Sequence, residues 1–477
     1  MSSQTMVTIG LGLVEIGYFS IMSRLLSRED FGLFAAISAV TVVFQSISDA
    51  GIGSALIQRK VMTDEYKNTA FSLSFAIGAV VSLVMAMFSG VLADLVVGPQ
   101  LHVPLMLMAL TIFIHGMTSV NFSWMRRNLQ FLRAGAIHLV SLLLSSAIAI
   151  YMAWRGYGFY AIVFRAIAGA LFTLIISYWF VGTRFRFQLK REYVRSIVNF
   201  GGWLTASVII HNISSQIDRL LMTRLFSVET LGAYNRPKEF IIGIGARING
   251  IFDTALFPVL SSIQDKMDSM RNAFNQSQYL MNICSMGLSL AFICNAELLI
   301  RIFFGDNWID LRPLFQIISL SLIFNINGRL GDCYLRSLGL VRQQFFLRSF
   351  ELVLDVVCIL IGFHFGVMGV AVGYLVANVT LIALKTIYLA RRMNIPYTDV
   401  MQNVVGGWAY GLYFLPLILA QYLIIPSTLA GNIVVAMVFI CMMALLLLVF
   451  PSLMGQAYKK YAYAKVVTFF QTKFHRK

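Results

Sequence analysis

Charge is scarce in this chain. Asp, Glu, Lys and Arg together make up 12% of its 477 residues, whereas soluble domains carry about 25%. Hydrophobic residues reach 58% and the mean hydropathy is +0.78, which excludes both an ordinary soluble enzyme and a disordered chain. Long polar segments are missing too, the longest internal loop lying near 182–196, so no loop or domain is large enough to house an active site of its own. Cysteine is sparse: Cys284, Cys294, Cys333, Cys358 and Cys441 lie in or beside apolar runs without CxxC spacing, which argues for core thiols over a metal or redox centre. There is no Walker loop, no metal-spaced His or carboxylate set and no nucleophile motif. Neither ATP hydrolysis, nor a cofactor, nor an enzyme is therefore expected. Acidic residues are few, 21 against 37 Lys and Arg, for a formal charge of +16. A nucleic-acid site would gather this charge on a polar domain, but here it is dispersed over short loops and a tail. No basic residue precedes Arg24 and no small-residue cleavage site occurs, so the first apolar run is expected to be a retained helix.

What the chain does have is apolar runs of about 20 residues, each able to cross about 30 Å of hydrocarbon as a helix. Fourteen are predicted, near 5–23, 32–56, 68–92, 103–124, 134–154, 159–181, 198–224, 231–259, 277–303, 313–335, 345–365, 368–390, 402–424 and 430–453. Alternate loops carry most of the Lys and Arg, and the opposite set holds only Arg24, Arg28, Arg155, Arg224, Arg301 and Arg312. The positive-inside rule then puts both termini in the cytoplasm.

The chain also repeats itself. Residues 22–34 read MSRLLSREDFGLF and residues 222–234 read MTRLFSVETLGAY, and GYGFYAIV at 156–163 is echoed by HFGVMGVA at 364–371. An even number of helices per copy makes the copies parallel. The expected organisation is an N-terminal lobe over 1–182, an amphipathic cytoplasmic connector over 183–197 and a C-terminal lobe over 198–392. Two further helices (393–453) and a basic tail (454–477) follow.

Polar residues at membrane depth share helix faces. Asn212, Gln216 and Arg219 form one stripe, Arg236, Gly243, Arg247 and Gly250 a second, Asn325, Arg329, Asp332 and Arg336 a third, and Arg348, Glu351 and Asp355 a fourth. The first lobe contributes Glu15, Gln45, Asp49 and Arg165. Charges at this depth normally face a protein interior or a watery path. For Asp49, Glu239, Glu297 and Lys385, near predicted helix ends, an ion pair or cap is an equal reading. Glu15, Asp49, Asp218, Asp253 and Asp332 are candidates for ion coupling or gating. His115, His138, His211 and His364 stand isolated along the sequence and read as hydrogen-bonded core or interface residues.

Several stretches resemble one known family. RLLSREDFGLF at 24–34, DAGIGSALIQRK at 49–60, GAYNRPKE at 232–239, LFPVLSSIQ at 256–264 and LIRIFFGDNW at 299–308 are similar to the polysaccharide exporters of the multidrug/oligosaccharidyl-lipid/polysaccharide superfamily. The resemblance implies an all-α membrane bundle of two parallel six-helix lobes, V-shaped as in the multidrug branch, plus two C-terminal helices. It also implies transfer of undecaprenyl-diphosphate-linked oligosaccharide across the inner membrane, with a polysaccharide polymerase and a chain-length regulator as candidate partners and no nucleic acid. The headgroup role falls on Arg219, Arg236, Lys238, Arg247 and Arg329, with Asn212, Gln216 and Asn325 beside them. Open alternatives are a multidrug or cation antiporter, a lipid II flippase and, from another class, a membrane glycosyltransferase or polymerase.

Overall fold

The computed structural model describes residues 3–49, 51–59, 62–181, 186–423 and 428–449. Among these the regular structure is helical throughout: α1 (Ser3–Leu25), α2 (Arg28–Asp49), α3 (Ile52–Gln58), α4 (Asp64–Met87), α5 (Ser89–Val96), α6 (His102–Arg127), α7 (Phe131–Trp154), α8 (Tyr160–Val181), α9 (Arg191–Leu225), α10 (Val228–Ser262), α11 (Met267–Cys294), α12 (Ala296–Phe303), α13 (Arg312–Ser337), α14 (Val341–Phe363), α15 (Gly366–Arg392), α16 (Tyr397–Leu423) and α17 (Leu429–Val449). All but α3, α5 and α12 have 21 to 35 residues, and these long helices correspond one to one with the predicted spans. Eight are long and apolar enough, by length and composition, to cross a membrane. Others, such as α14 with Arg348, Glu351 and Asp355, carry the deep charges. Large apolar side chains lie exposed on the outside, among them Val80, Leu83, Met87, Trp154 and Trp179, as a lipid solvent requires. The protein is a polytopic, all-α membrane protein.

Boundaries differ from expectation where local chemistry breaks a run. The second predicted span ends early because Gly51 adopts φ 68°, a left-handed conformation that favours glycine, and a separate short helix follows. The repeated motif turns out to be a start signal. Ser27 caps α2, accepting from the Asp30 N–H at 3.1 Å while Asp30 Oδ2 accepts from the Ser27 N–H at 2.9 Å, a reciprocal capping box. In the second copy Ser227 Oγ accepts from the Thr230 N–H at 3.2 Å and opens α10 in the same way. The two copies touch at their glycines: a Cβ on Gly32 would lie 1.9 Å from the Val228 carbonyl oxygen, and one on Gly232 would lie 1.8 Å from that of Arg28. Each position equals its counterpart plus 200, so the contact has pseudo-twofold character. Packing repeats as well, with α4 on α6, α6 on α8 and α1 on α7 echoed by α11 on α13, α13 on α15 and α9 on α14.

The helices gather into two compact units. One comprises Met1–Arg236, Phe303–Gly305 and Val341–Phe363, and the other Pro237–Ile302, Asp306–Leu340 and His364–Lys477. The expected lobe boundary at 183–197 falls inside the first unit, because α9 packs along α2 as well as on α14. Linear hydropathy marks where helices are and not which faces meet. Residues 186–190 of the connector have no regular secondary structure, and Lys190 is extended. The N–H groups of Arg186, Gln188 and Lys190 donate to the side chains of Asn68, Ser72 and Thr69, and Phe187 packs on Phe71 and Phe75. Lys190 pairs with Glu65, whose hydrogen bond holds the ammonium above its usual pKa. In the second unit α16 and α17 pack on α11 around Leu290, Cys294, Phe414 and Val435. The predicted basic tail, 454–477, lies outside the described residues.

Candidate functional site

In the first unit α9 carries the stripe of Asn212, Gln216 and Arg219. Its members are linked: Arg219 Nη1 donates to Gln216 Oε1 at 2.9 Å, Gln216 Nε2 to Ser215 Oγ at 3.2 Å, and Ser215 Oγ to the Asn212 carbonyl at 2.8 Å. Arg219 is half-buried, with its guanidinium hydrogen-bonded to the Gln216 amide. Asp218, a turn of about 100° away, is buried.

Arg236 has a different place from the one the sequence suggested. It is 4% exposed, with its guanidinium carbon 3.3 Å from the ring centre of Phe19 and 4.0 Å from that of Phe31. Nη2 donates to the Phe19 carbonyl at 2.9 Å and to Ser23 Oγ at 3.0 Å, and Nε to Ser23 Oγ at 3.2 Å. A guanidinium stacked and hydrogen-bonded in this way ties the start of α10 to α1 and α2 and has little left to offer a phosphate.

The second unit separates its charges in the same manner. Lys238 is buried with its ammonium 4.0 Å from the Tyr374 ring centre, a structural setting and not an open one. Asp332 and Lys385 form an ion pair at 3.0 Å with both side chains 2% exposed, so the candidate coupling carboxylate stands next to a buried ammonium. Glu297 is likewise buried, and holds Arg301 at 3.1 Å and Arg312 at 3.0 Å. Arg247 stays half-buried on α10, and a Cβ at Gly243 or Gly250, on its own face, would meet nothing within 4 Å. The packed face is that of Gly245, whose Cβ would approach Leu322 of α13 at 2.5 Å. Asn325 and Arg329 are half-buried on α13.

Of the remaining coupling candidates, Glu15 is exposed on α1 and the side chain of Asp253 lies outside the described residues. Asp49 is exposed at the end of α2, where its Oδ1 holds His115 Nε2 at 2.7 Å. His115 is thus not isolated, and its partner stands 66 residues away in the chain. Both line a cavity of about 430 Å³ within the first unit, together with Thr118, Ser119, Phe122 and Arg126 of α6 and His138 of α7. The α6 members recur at helical spacing, so a stripe search extended to hydroxyls and imidazoles would have found them.

Among the described residues, fourteen long helices, buried polar side chains and exposed apolar ones define a multi-pass membrane protein. The chain belongs to the polysaccharide biosynthesis protein family, whose model matches residues 21–313. It is 25% identical over 435 residues to the lipopolysaccharide biosynthesis protein WzxC of Escherichia coli (strain K12), covering 89% of this chain and 84% of that one. The fold is similar to that of the lipid II flippase MurJ in an inward closed conformation, with a TM-score of 0.70 at 13% identity over 92% of this chain and 98% of that one. It is also similar to an inward-facing multidrug resistance MATE family transporter of the MOP superfamily, with a TM-score of 0.63 at 14% identity over 82% and 98%.

Proposed function

We propose that this protein translocates undecaprenyl-diphosphate-linked oligosaccharide repeat units from the cytoplasmic to the outer leaflet of a bacterial inner membrane, for assembly of a surface polysaccharide. Both termini would lie in the cytoplasm, and a polymerase and a chain-length regulator would act next. Membership of the polysaccharide biosynthesis family supports the substrate class. The observation that carries the mechanism is the graded burial of the deep cations: Arg236 and Lys238 are buried against ring faces, while Arg219, Arg247 and Arg329 are half-buried. A diphosphate entering hydrocarbon loses hydration worth tens of kcal/mol in a Born estimate, on the order of 20 or more. A planar guanidinium replaces that water with paired, charge-assisted hydrogen bonds and keeps its proton while doing so.

The polyprenyl tail stays in lipid while the headgroup and sugars occupy a polar path, and the protein alternates access to the two sides. With the cytoplasm negative, each negative charge carried outward gains about 2.3 kcal/mol per 100 mV, enough to drive export without an ion gradient. Flipping in proteoliposomes under an imposed potential, with no gradient of protons or sodium, tests this drive. Transport that requires a proton gradient instead would overturn the voltage mechanism and return Asp49 or Asp218 to a coupling role.

A further inference from the structure

The cavity beside Asp49 differs in chemistry from a phosphate site. A phosphate takes hydrogen-bond donors, so a wall built for it must present N–H or O–H groups. Here the hydroxyl protons of Ser46, Thr118 and Ser119 are directed elsewhere. Ser46 Oγ donates to the Val43 carbonyl at 2.7 Å, and Thr118 Oγ1 is shared at 3.2 Å between the Ile114 and His115 carbonyls. Ser74 Oγ donates to the Gly116 carbonyl at 2.8 Å, so the 2.8 Å bond between it and Ser119 runs from the Ser119 hydroxyl. What Ser46, Thr118 and Ser119 turn to the cavity is lone pairs. Asp49 adds a carboxylate with Oδ1 on His115, leaving Oδ2 as an acceptor. A neighbouring cavity of about 300 Å³ shares His115, Thr118, His138 and Thr173 with the first and repeats the pattern: Thr41 and Thr111 donate to the Ile37 and Met108 carbonyls at 2.8 and 2.6 Å.

Acceptor groups on these walls attract hydroxyl groups. One side adds a flat surface, because the rings of Phe122 and His138 stack at 4.4 Å with planes 23° apart and both line the larger cavity. Arg126 is the one donor cation there among the described lining residues. Hydroxyl acceptors, a carboxylate and a flat ring face are what a pyranose recognises, through its hydroxyl donors and its C–H face respectively. The volume lies within the range of small-molecule sites, about 300–1,000 Å³.

We infer that this pair of cavities is a carbohydrate subsite that takes neutral, hydroxyl-bearing sugar residues of the lipid-linked oligosaccharide, separate from the arginines that hold its diphosphate. The inference rests on the flippase reading and assigns its sugar contacts to α2, α6, α7 and α8.

The test compares two ligands on the full chain in nanodiscs: bare undecaprenyl diphosphate, and the undecaprenyl-diphosphate repeat unit isolated from the host that makes this chain. Wild type should bind the glycolipid about tenfold more tightly than the bare lipid, a difference equal to about one well-placed hydrogen bond. Thr118→Val, an isosteric change, and Ser119→Ala should each weaken glycolipid binding by about fivefold to tenfold and leave the bare lipid unchanged, which also certifies that the variants fold. Equal affinity of wild type for the two lipids, or variants that weaken both or neither, would overturn the subsite while leaving the flippase reading standing. A wild type that binds neither lipid would overturn the flippase reading itself.

Discussion

The buried Asp332–Lys385 pair offers a sharp distinction between structure and coupling. At 3.0 Å and 2% exposure the attraction is on the order of 5 kcal/mol at an effective dielectric near 20, offset by the desolvation of two charges. Lys385→Met leaves the carboxylate alone inside the second unit, where a Cβ on Gly331 would already pack 3.6 Å from the Lys385 chain. Loss of one partner of such a pair costs about 3–5 kcal/mol, whereas replacing both by apolar residues of similar volume is neutral or stabilising by about 1–4 kcal/mol. Asp332→Leu and Lys385→Met singly should therefore lower the thermal stability of the purified protein in detergent, and the double variant should recover it. The decisive readout is export by the double variant in cells that lack the chromosomal copy. If the pair is structural, export returns with stability. A stable double variant that does not export would refute the argument and show that the carboxylate at 332 handles an ion or proton.

Other perturbations follow from the same geometry. Gly32→Ala and Gly232→Ala each force a methyl into a backbone carbonyl at under 2 Å, so membrane-inserted yield should fall by an amount matching about 1–3 kcal/mol of overpacking strain, read by fluorescence-detected size exclusion. Asp30→Ala removes both the acceptor of the Ser27 N–H and the acceptor of the Phe159 N–H at 2.8 Å, and should cost about 1–2 kcal/mol in thermal stability while leaving substrate affinity intact. Arg236→Lys keeps the charge but not the planar stack between Phe19 and Phe31, so it should destabilise the fold. Arg219→Lys should retain stability and lose bidentate phosphate binding, seen as a weaker affinity for undecaprenyl diphosphate.

Much of the fold was legible because a bilayer imposes a simple code. Apolar runs of fixed length marked the fourteen long helices, and the 200-residue repeat marked a start signal whose cap and glycine the structure now explains. Spacing on α10 places Gly243, Arg247 and Gly250 on one side of the helix, where a Cβ on either glycine would meet nothing within 4 Å. Spacing carries no information about partners in other helices, which only the structure supplies. Arg236 looked as available as Arg219, yet its place is decided by Phe19, Ser23 and Phe31 more than 200 residues upstream. Asp332 met Lys385 across 53 positions and Asp49 met His115 across 66. The connector was read as amphipathic, and over 186–190 the side chains of α4 hold its backbone N–H groups.

The central claim is that half-buried guanidinium groups stand in for the water a diphosphate sheds. It is tested most directly by the rate at which proteoliposomes carrying Arg219→Ala, Arg247→Ala and Arg329→Ala together move the lipid-linked repeat unit under an imposed potential. Hydrogen bonds to a charged group contribute about 1.5–3 kcal/mol each, so removing three such side chains should slow transport by at least about 100-fold relative to a protein of equal stability. A triple variant that transports at the wild-type rate would contradict the account.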